Sequence, residues 1–133
     1  MKTSLLILVF LLVAGSISFA QPRKTKYTAV PVEKADKIIT KKKVVVLDVR
    51  TPEEVTQGFI PGAVNYNFNS PDFKQQLANL DKSKPYLVYC RSGKRSGKTI
   101  ELMKSMGFKK LYELTAGFPA YAAFKENTSS HEN

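Results

Sequence analysis

Cys90 is the residue whose type and setting best suit covalent chemistry. It is the only cysteine among 133 residues, and the single histidine, His131, lies near the end of the chain. One cysteine excludes an internal disulfide and a zinc site built from cysteines. One terminal histidine argues against a Ser–His–Asp triad or a metal cluster. What remains is a lone thiol, which is either buried and inert or kept for its reactivity.

The residues after Cys90 favour a reactive thiol. They are rich in glycine, serine and cations, and they are Arg91, Ser92, Gly93, Lys94, Arg95 and Ser96. A turn of this composition can direct several backbone N–H groups inwards and form an anion site where a helix begins. The same groups stabilise a thiolate and lower the pKa of its thiol, which makes the sulfur a nucleophile near neutral pH.

Four cations surround this predicted helix start: Arg91, Lys94, Arg95 and Lys98. Cations there have the wrong sign for the helix dipole and are mildly destabilising. A solvated basic face is the simpler interpretation of such a cluster. Its coincidence with the only cysteine and a glycine-rich turn favours the capture of an anion.

Strands and helices alternate about five times along the chain. The predicted strands cover 27–30, 44–47, 63–65, 86–89 and 111–114. The predicted helices cover 32–39, a segment that starts at Thr51 and Pro52, 70–80, 99–106 and 118–124. This alternation predicts an α/β fold, with a mostly parallel sheet and helices on both faces. Cys90 then lies at the carboxyl end of a strand, where ligands bind in open α/β sheets.

Both ends of the chain differ in composition from its middle. Lys2, an apolar run over 5–14 and small residues before Ala20 have the layout of a secretory signal peptide cleaved after Ala20. An uncleaved anchor is the alternative, although the run covers only about half of the ~20 residues that span a bilayer. We therefore expect a periplasmic or secreted protein. The predicted organisation is a signal peptide over 1–20, a basic lead-in over 21–26, one domain over 27–124 and a disordered polar tail over 125–133.

The formal net charge of +10 falls to +9 when the leader is removed. Such a charge suits nucleic acid or heparin-like polymers. The aromatic residues are not interleaved with the basic runs, however, and export argues against nucleic acid. We expect no nucleic-acid partner, no stable membrane anchoring after cleavage, and a monomer.

Three motifs resemble those of the rhodanese family, the thiosulfate sulfurtransferases, and especially its small single-domain periplasmic members. They are Leu-Asp-Val-Arg-Thr-Pro-Glu-Glu over 47–54, Gly-Phe-Ile-Pro-Gly-Ala over 58–63 and Tyr-Cys-Arg-Ser-Gly-Lys-Arg-Ser over 89–96. The resemblance extends over about 27–124. It implies a five-stranded, mainly parallel sheet flanked by helices on both faces, and it implies that Cys90 carries sulfur as a persulfide.

The mechanism that this resemblance implies is a double displacement. The Cys90 thiolate takes sulfur from thiosulfate or a similar anionic donor, and an acceptor thiol or cyanide then removes it. Arg91 and Lys94 would attract the donor, and Arg95 is expected to fold back over the bound anion. Neither a metal nor an organic cofactor is implied.

Asp48 and Arg50 are expected to be structural. We expect Arg50 to pair with Glu53 or Glu54, and Asp48 to fix the loop at the end of its strand.

The sequence departs from the family pattern at two places. Phe59 stands where the family often has histidine, and Ala116-Gly117 before Tyr121 stands where it often has two glycines near a tryptophan. Two other functions remain open, namely a cysteine phosphatase or arsenate reductase on the same fold and a non-catalytic interaction domain. The four residues between Cys90 and Arg95 favour sulfur chemistry, because cysteine phosphatases place five there.

Overall fold

The computed structural model describes residues 24–131. The predicted signal peptide, the first three residues of the lead-in and the last two residues of the tail lie outside the described residues. Between 24 and 131, no helix has the length and apolar character needed to cross a membrane.

Strands and helices alternate in the described part of the chain. The strands are β1 Lys26–Val30, β2 Val45–Asp48, β3 Val64–Asn65, β4 Pro85–Tyr89 and β5 Lys110–Leu114. The helices are α1 Val32–Thr40, α2 Pro52–Thr56, α3 Phe73–Ala78, α4 Lys94–Ser105 and α5 Gly117–Ser129. The strands form one sheet in the order β1-β5-β4-β2-β3, and every neighbouring pair is parallel. The predicted five-stranded α/β fold is confirmed.

Strand β4 contributes to the hydrophobic core on both faces of the sheet. Tyr86, Val88 and Cys90 pack into one cluster with buried residues of α3 and α4. Leu87 and Tyr89 point the other way and pack with buried residues of α1 and α5. A strand that is covered on both faces must be apolar at every position, which explains the uninterrupted run before Cys90.

Helix α2 begins where the sequence predicts it, through a capping box. The Thr51 hydroxyl accepts the backbone N–H of Glu54 at 3.3 Å, and the backbone N–H of Thr51 donates to Glu54 Oε2 at 3.0 Å. Pro52 suits the first helical position because its missing N–H would have no partner there. The box fixes the carboxylate of Glu54 at the carboxyl edge of the sheet.

Helices α4 and α3 and the lead-in differ in their bounds from the sequence prediction. Helix α4 begins at Lys94 rather than Thr99, because Gly93 takes a φ of 89° that lets the chain turn into the helix immediately. Helix α3 is shorter than 70–80, since Ser70 and Asp72 form a hydrogen-bonded turn before Phe73. The lead-in is shorter as well, since Lys26 already pairs in β1.

The predicted disordered tail is wrong over the residues that the structure describes. Helix α5 continues to Ser129. Hydrogen bonds within the helix and an ion pair with α1 stabilise this extension. The hydroxyls of Thr128 and Ser129 donate to carbonyls of the preceding turn, and Lys125 pairs with Asp36 of α1 at 3.2 Å. A helix already packed through Tyr121 can extend by polar residues, because each added residue gains a backbone hydrogen bond without a new nucleus.

Candidate active site

The carboxyl ends of the parallel strands bring the predicted site residues to one edge of the sheet. Asp48 ends β2, and Cys90 directly follows β4. Helix α5 follows β5 at the same edge, where the backbone N–H of Phe118 donates to the carbonyl of Cys90 at 2.9 Å. The predicted place of Cys90 at a strand end is confirmed.

The sulfur of Cys90 is surrounded by hydrogen-bond donors. The backbone N–H of Gly93 points at Sγ from 3.1 Å, and that of Ser96 from 3.4 Å. The Ser96 hydroxyl oxygen lies 3.5 Å from Sγ. The residue is fully buried. The loop between β4 and α4 therefore forms a closed anion site around the thiol, as the glycine and serine content predicts.

These donors decide the ionisation of the thiol. Burial alone would raise the pKa of Cys90, because a buried thiolate loses its hydration. The Ser96 hydroxyl and the backbone N–H groups of Ser96, Ser92 and Gly93 oppose that effect by stabilising the anion. The net result is a pKa below the ordinary value for cysteine. Cys90 thus has the electronic character of a nucleophile.

Two glycines let the loop that follows Cys90 lie directly on the start of α5. A Cβ on Gly93 would stand 2.6 Å from the carbonyl oxygen of Thr115, and one on Gly117 would stand 1.9 Å from that of Arg91. Gly117 also has a φ of 78°. Ala116, in contrast, has an ordinary φ of −68°. The second glycine of the family's usual pair is thus sterically required here, whereas the first is dispensable.

The basic residues of the loop divide into two kinds. Arg91 and Lys94 are exposed at the rim of the anion site, as expected for residues that attract an anion. Arg95 instead holds Glu54 in a bidentate pair, with N–O distances of 2.7 and 2.8 Å. The predicted position of Arg95 over the anion does not match this arrangement, because the capping box of α2 places a carboxylate within its reach.

The pair between Glu54 and Arg95 changes the ionisation of the carboxyl group. The hydrogen bond from Arg95 is the largest cause, and it lowers the pKa of Glu54 to about 2. The carboxylate is therefore charged at neutral pH, and it offsets the charge of Arg95 next to the loop.

Asp48 and Arg50 pair with each other, so the expected pairing of Arg50 with Glu53 or Glu54 is wrong. Arg50 Nη2 lies 2.7 Å from Asp48 Oδ2, and both side chains are buried. The Tyr89 hydroxyl donates to the same Oδ2 at 2.5 Å. Arg50 also donates to the carbonyl of Gly58 at 2.8 Å and stacks 4.2 Å from the ring centre of Phe118. These contacts join β2, β4, the loop before β3 and α5.

Glu113 is absent from the predicted site, although it lies directly behind the nucleophile. Its Oε1 accepts a hydrogen bond from the Ser96 hydroxyl at 2.8 Å, and its side chain is buried. One sequence feature could have identified it: Glu113 is the only ionisable carboxyl group in the predicted strand 111–114. Its partner could not be read from the sequence, because the contact depends on how α4 lies across β5.

Comparisons with known proteins agree with this fold. The profile of the Rhodanese-like domain family matches residues 31–124. YtwF of Bacillus subtilis (strain 168), which is provisionally named a sulfurtransferase, is 38% identical over 74 residues, covering 56% of this chain and 70% of YtwF. A tRNA uridine(34) hydroxylase of Rickettsia rickettsii (strain Sheila Smith) is 33% identical over 99 residues, covering 71% of this chain. The chain spans only 40% of that hydroxylase's length.

A solved structure shares the architecture at lower identity. The human single-domain sulfurtransferase TSTD1 superimposes with a TM-score of 0.62 at 17% identity, covering 71% of this chain and 95% of that protein. This likeness shows the fold alone. The family profile covers well over half of the sequence and includes Cys90 with its whole loop. The chain therefore belongs to the rhodanese-like domain family.

Proposed function

We propose that the protein moves a sulfane sulfur from thiosulfate, or a similar anionic donor, to a thiophilic acceptor through a persulfide on Cys90. The observation that carries this proposal is the ring of N–H donors around Sγ. Gly93 and Ser96 direct their backbone N–H groups at the sulfur from 3.1 and 3.4 Å. Family membership supports sulfur transfer as the class of reaction.

The first half of the reaction uses the thiolate that these donors stabilise. The Cys90 sulfur attacks the outer sulfur of thiosulfate, and a new S–S bond forms. The S–S bond within thiosulfate breaks, and its electron pair leaves with sulfite. The terminal sulfur of the persulfide is then an anion, for which the N–H groups of the loop are suitable partners.

The second half of the reaction returns the enzyme to its starting state. An acceptor thiolate, or cyanide, attacks the terminal sulfur of the persulfide. The bond to Cys90 breaks, and its electron pair remains on Sγ as the thiolate. The reaction consumes no proton at the sulfur, and so it has no need of a histidine near Cys90.

The charges at the rim suit an anionic donor. Arg91 and Lys94 are exposed beside the loop, so they can attract thiosulfate without first losing an internal partner. Cys90 itself is fully buried. The residues that cover the sulfur must therefore move when the donor binds. A small dianion requires less movement than a bulky substrate.

The state of Arg95 argues against phosphatase chemistry. A phosphoryl group needs cationic or N–H partners for three equatorial oxygens. Arg95, the arginine that follows the loop, is not free for this role, because both of its terminal nitrogens are bound to Glu54. The short loop adds to this argument, because one sulfur atom needs a smaller ring of donors than a phosphoryl group does.

A mass measurement tests the proposal directly. The purified protein is incubated with thiosulfate, and its intact mass is recorded without reductant. We expect a gain of one sulfur atom on Cys90, which cyanide then removes as thiocyanate. Cys90→Ser should gain nothing, while Ser105→Ala, which removes an exposed hydroxyl at the far end of α4, is the control and should still load. Hydrolysis of aryl phosphates without sulfur loading would contradict the proposal.

We further propose that this chemistry takes place in the periplasm or outside the cell, in a monomer whose partners are the small donor and acceptor. The support is the leader over 1–20, which lies outside the described residues.

A further inference from the structure

A buried carboxylate lies behind the nucleophilic sulfur. Glu113 of β5 is 4% exposed, and each of its oxygens accepts a hydrogen bond from a different hydroxyl. Ser96 donates to Oε1 at 2.8 Å, and Tyr27 of β1 donates to Oε2 at 2.7 Å. Ser96 Oγ also lies 3.5 Å from Cys90 Sγ. One serine hydroxyl therefore connects the sulfur to the carboxylate.

Ser96 has a single hydroxyl hydrogen for several acceptors. Glu113 Oε1 is one of them, and the carbonyl oxygen of Gly93, at 3.1 Å, is another. When the hydrogen points at Glu113, a lone pair of Ser96 Oγ remains to accept the S–H of Cys90. After ionisation the sulfur needs a donor instead. The thiol and the thiolate thus require opposite orientations of the same O–H bond.

The charged groups near Glu113 have other partners. On the β1 side, Tyr27 is held protonated, because burial and then Glu113 raise its pKa to about 12. On the α4 side, Glu101 and Lys104 pair with each other at 2.7 Å, and Lys104 Nζ lies 4.2 Å from the centre of the Tyr27 ring. None of the ion pairs among residues 24–131 includes Glu113.

We propose that Glu113 restrains the ionisation of Cys90 by competing with its sulfur for the hydroxyl hydrogen of Ser96. Glu113 is a positioning residue, since it acts through Ser96 and does not touch the reacting sulfur. It holds the resting thiol as a hydrogen-bond donor to Ser96. This inference goes beyond the proposed function, because it concerns the ionisation of the free protein and requires no sulfur donor.

The test is the pH dependence of the ultraviolet absorbance of the Cys90 thiolate, with Cys90→Ser as the blank. In Glu113→Gln, the amide oxygen can accept from Tyr27 while the amide nitrogen donates to Ser96 Oγ. The hydrogen of Ser96 is then free for the sulfur. We expect the pKa of Cys90 to fall by about one unit, because a hydrogen bond to the thiolate favours the charged form. An unchanged or higher pKa would overturn the proposal.

A double-mutant cycle separates competition for the hydrogen from simple charge repulsion. Ser96→Ala alone should raise the pKa of Cys90, because it removes a donor to the thiolate and leaves the backbone N–H in place. On that background, Glu113→Gln should shift the pKa by much less than it does in the parent protein. Equal shifts on both backgrounds would mean that Glu113 acts through its charge alone, and would refute the competition.

Tyr27→Phe tests the competition through a change of opposite sign in the pKa of Cys90. It leaves Glu113 in place, so it remains informative if Glu113→Gln does not fold. The ring is 38% exposed, so losing its hydroxyl should leave the fold intact. Glu113 Oε2 would lose its donor, and the carboxylate would hold the hydrogen of Ser96 more strongly. We expect a small rise in the pKa of Cys90, and a fall would contradict the proposal. Sulfur loading, measured separately by mass, shows whether the proposed function holds irrespective of this result.

Discussion

At the scale of single residues, the ionisation of Cys90 depends on its hydrogen-bond partners as well as on its burial. Its thiol is fully buried, yet its pKa lies below the ordinary value because hydroxyl and backbone donors surround the sulfur. A lowered pKa means that the thiolate is present at lower pH than in a free cysteine.

The first prediction is the pH profile of sulfur loading. The rate should rise with pH as the thiolate forms, and it should level off below the value of about 8.5 that characterises a free thiol. Loading from thiosulfate, followed by mass over a pH series, measures this profile. A rate that still increases well above that pH would contradict the role of the N–H ring.

The second prediction concerns the pair between Glu54 and Arg95. The folded-state pKa of Glu54, about 2, lies below its ordinary value of 4.5. The pair therefore stabilises the fold fully above the ordinary value, and this contribution is lost as the pH falls towards 2. Because both side chains are partly exposed, we expect Glu54→Gln to lower the free energy of unfolding by only about 1 kcal/mol at neutral pH.

Denaturant unfolding at neutral and acidic pH measures this contribution. The difference between Glu54→Gln and the parent protein should shrink as the pH falls. Glu53→Gln is the matched control, because Glu53 precedes Glu54 in the same helical turn and is exposed. In Glu54→Gln, Arg95 loses its ion pair and becomes free to bind the anionic donor. We therefore also expect this variant to have a lower KM for thiosulfate. A KM that does not change would mean that Arg95 does not reach the anion even when it is released.

At the scale of elements, the third prediction tests the contact between α5 and the loop that follows Cys90. Gly117→Ala places a methyl group where the carbonyl oxygen of Arg91 already stands, at a φ that alanine rarely adopts. We expect a loss of at least about 2 kcal/mol of stability, since the left-handed backbone alone costs about 1–2 kcal/mol. Sulfur loading should fall as well, because the loop must shift.

Ala116→Gly is the control for this substitution. It restores the family's usual pair of glycines at a position whose φ is ordinary, so its effect on the melting temperature should be small. Thermal unfolding and mass measurements compare the two variants. If both behave like the parent protein, the close approach of Gly117 to the loop has no importance for the fold.

The positions of the strands could be predicted from the sequence, whereas the partners of the charged side chains could not. Apolar runs such as 86–89 identified the central strands β2 and β4 to within one residue, because a buried strand needs apolar residues throughout. The start of α4 was missed because its first turn contains Ser96 and Gly97, which favour a turn over a helix. The bond between Arg95 and Glu54 joins α4 to α2 and depends on the order β4-β2 in the sheet. Local sequence does not contain that order.

At the scale of the whole molecule, the excess of lysine and arginine creates a field that acts at a distance. The net charge is +10, and the rim of the site carries exposed Arg91 and Lys94. The fourth prediction is that Arg91→Ala and Lys94→Ala raise the KM for thiosulfate, most strongly at low salt, because ions screen exposed charges. Lys109→Ala is the control, since this exposed lysine follows the end of α4, whereas Arg91 and Lys94 lie at its start. Equal effects at every salt concentration would indicate local packing instead.

The fifth prediction concerns the leader. When the full chain is expressed in a bacterium with an intact export pathway, the mature protein should begin at Gln21 and appear in the periplasm or medium. Its intact mass determines the new N-terminus. Replacing Ala20 by a bulky residue should block cleavage, and a mature mass that still includes residues 1–20 in the parent protein would favour the anchor.

The sheet order has a consequence for how the chain folds. β1 lies at an edge and pairs only with β5, so that Lys26 is opposite Lys110 and Val30 is opposite Leu114. The first strand therefore has no partner until nearly the whole domain has been synthesised. Pairings between such distant segments are slow to form, because the entropy of a long loop is lost before the contact is gained. During synthesis, the sheet would thus stay incomplete until β5 has left the ribosome. A chain truncated before β5 would expose the unpaired edge of β4.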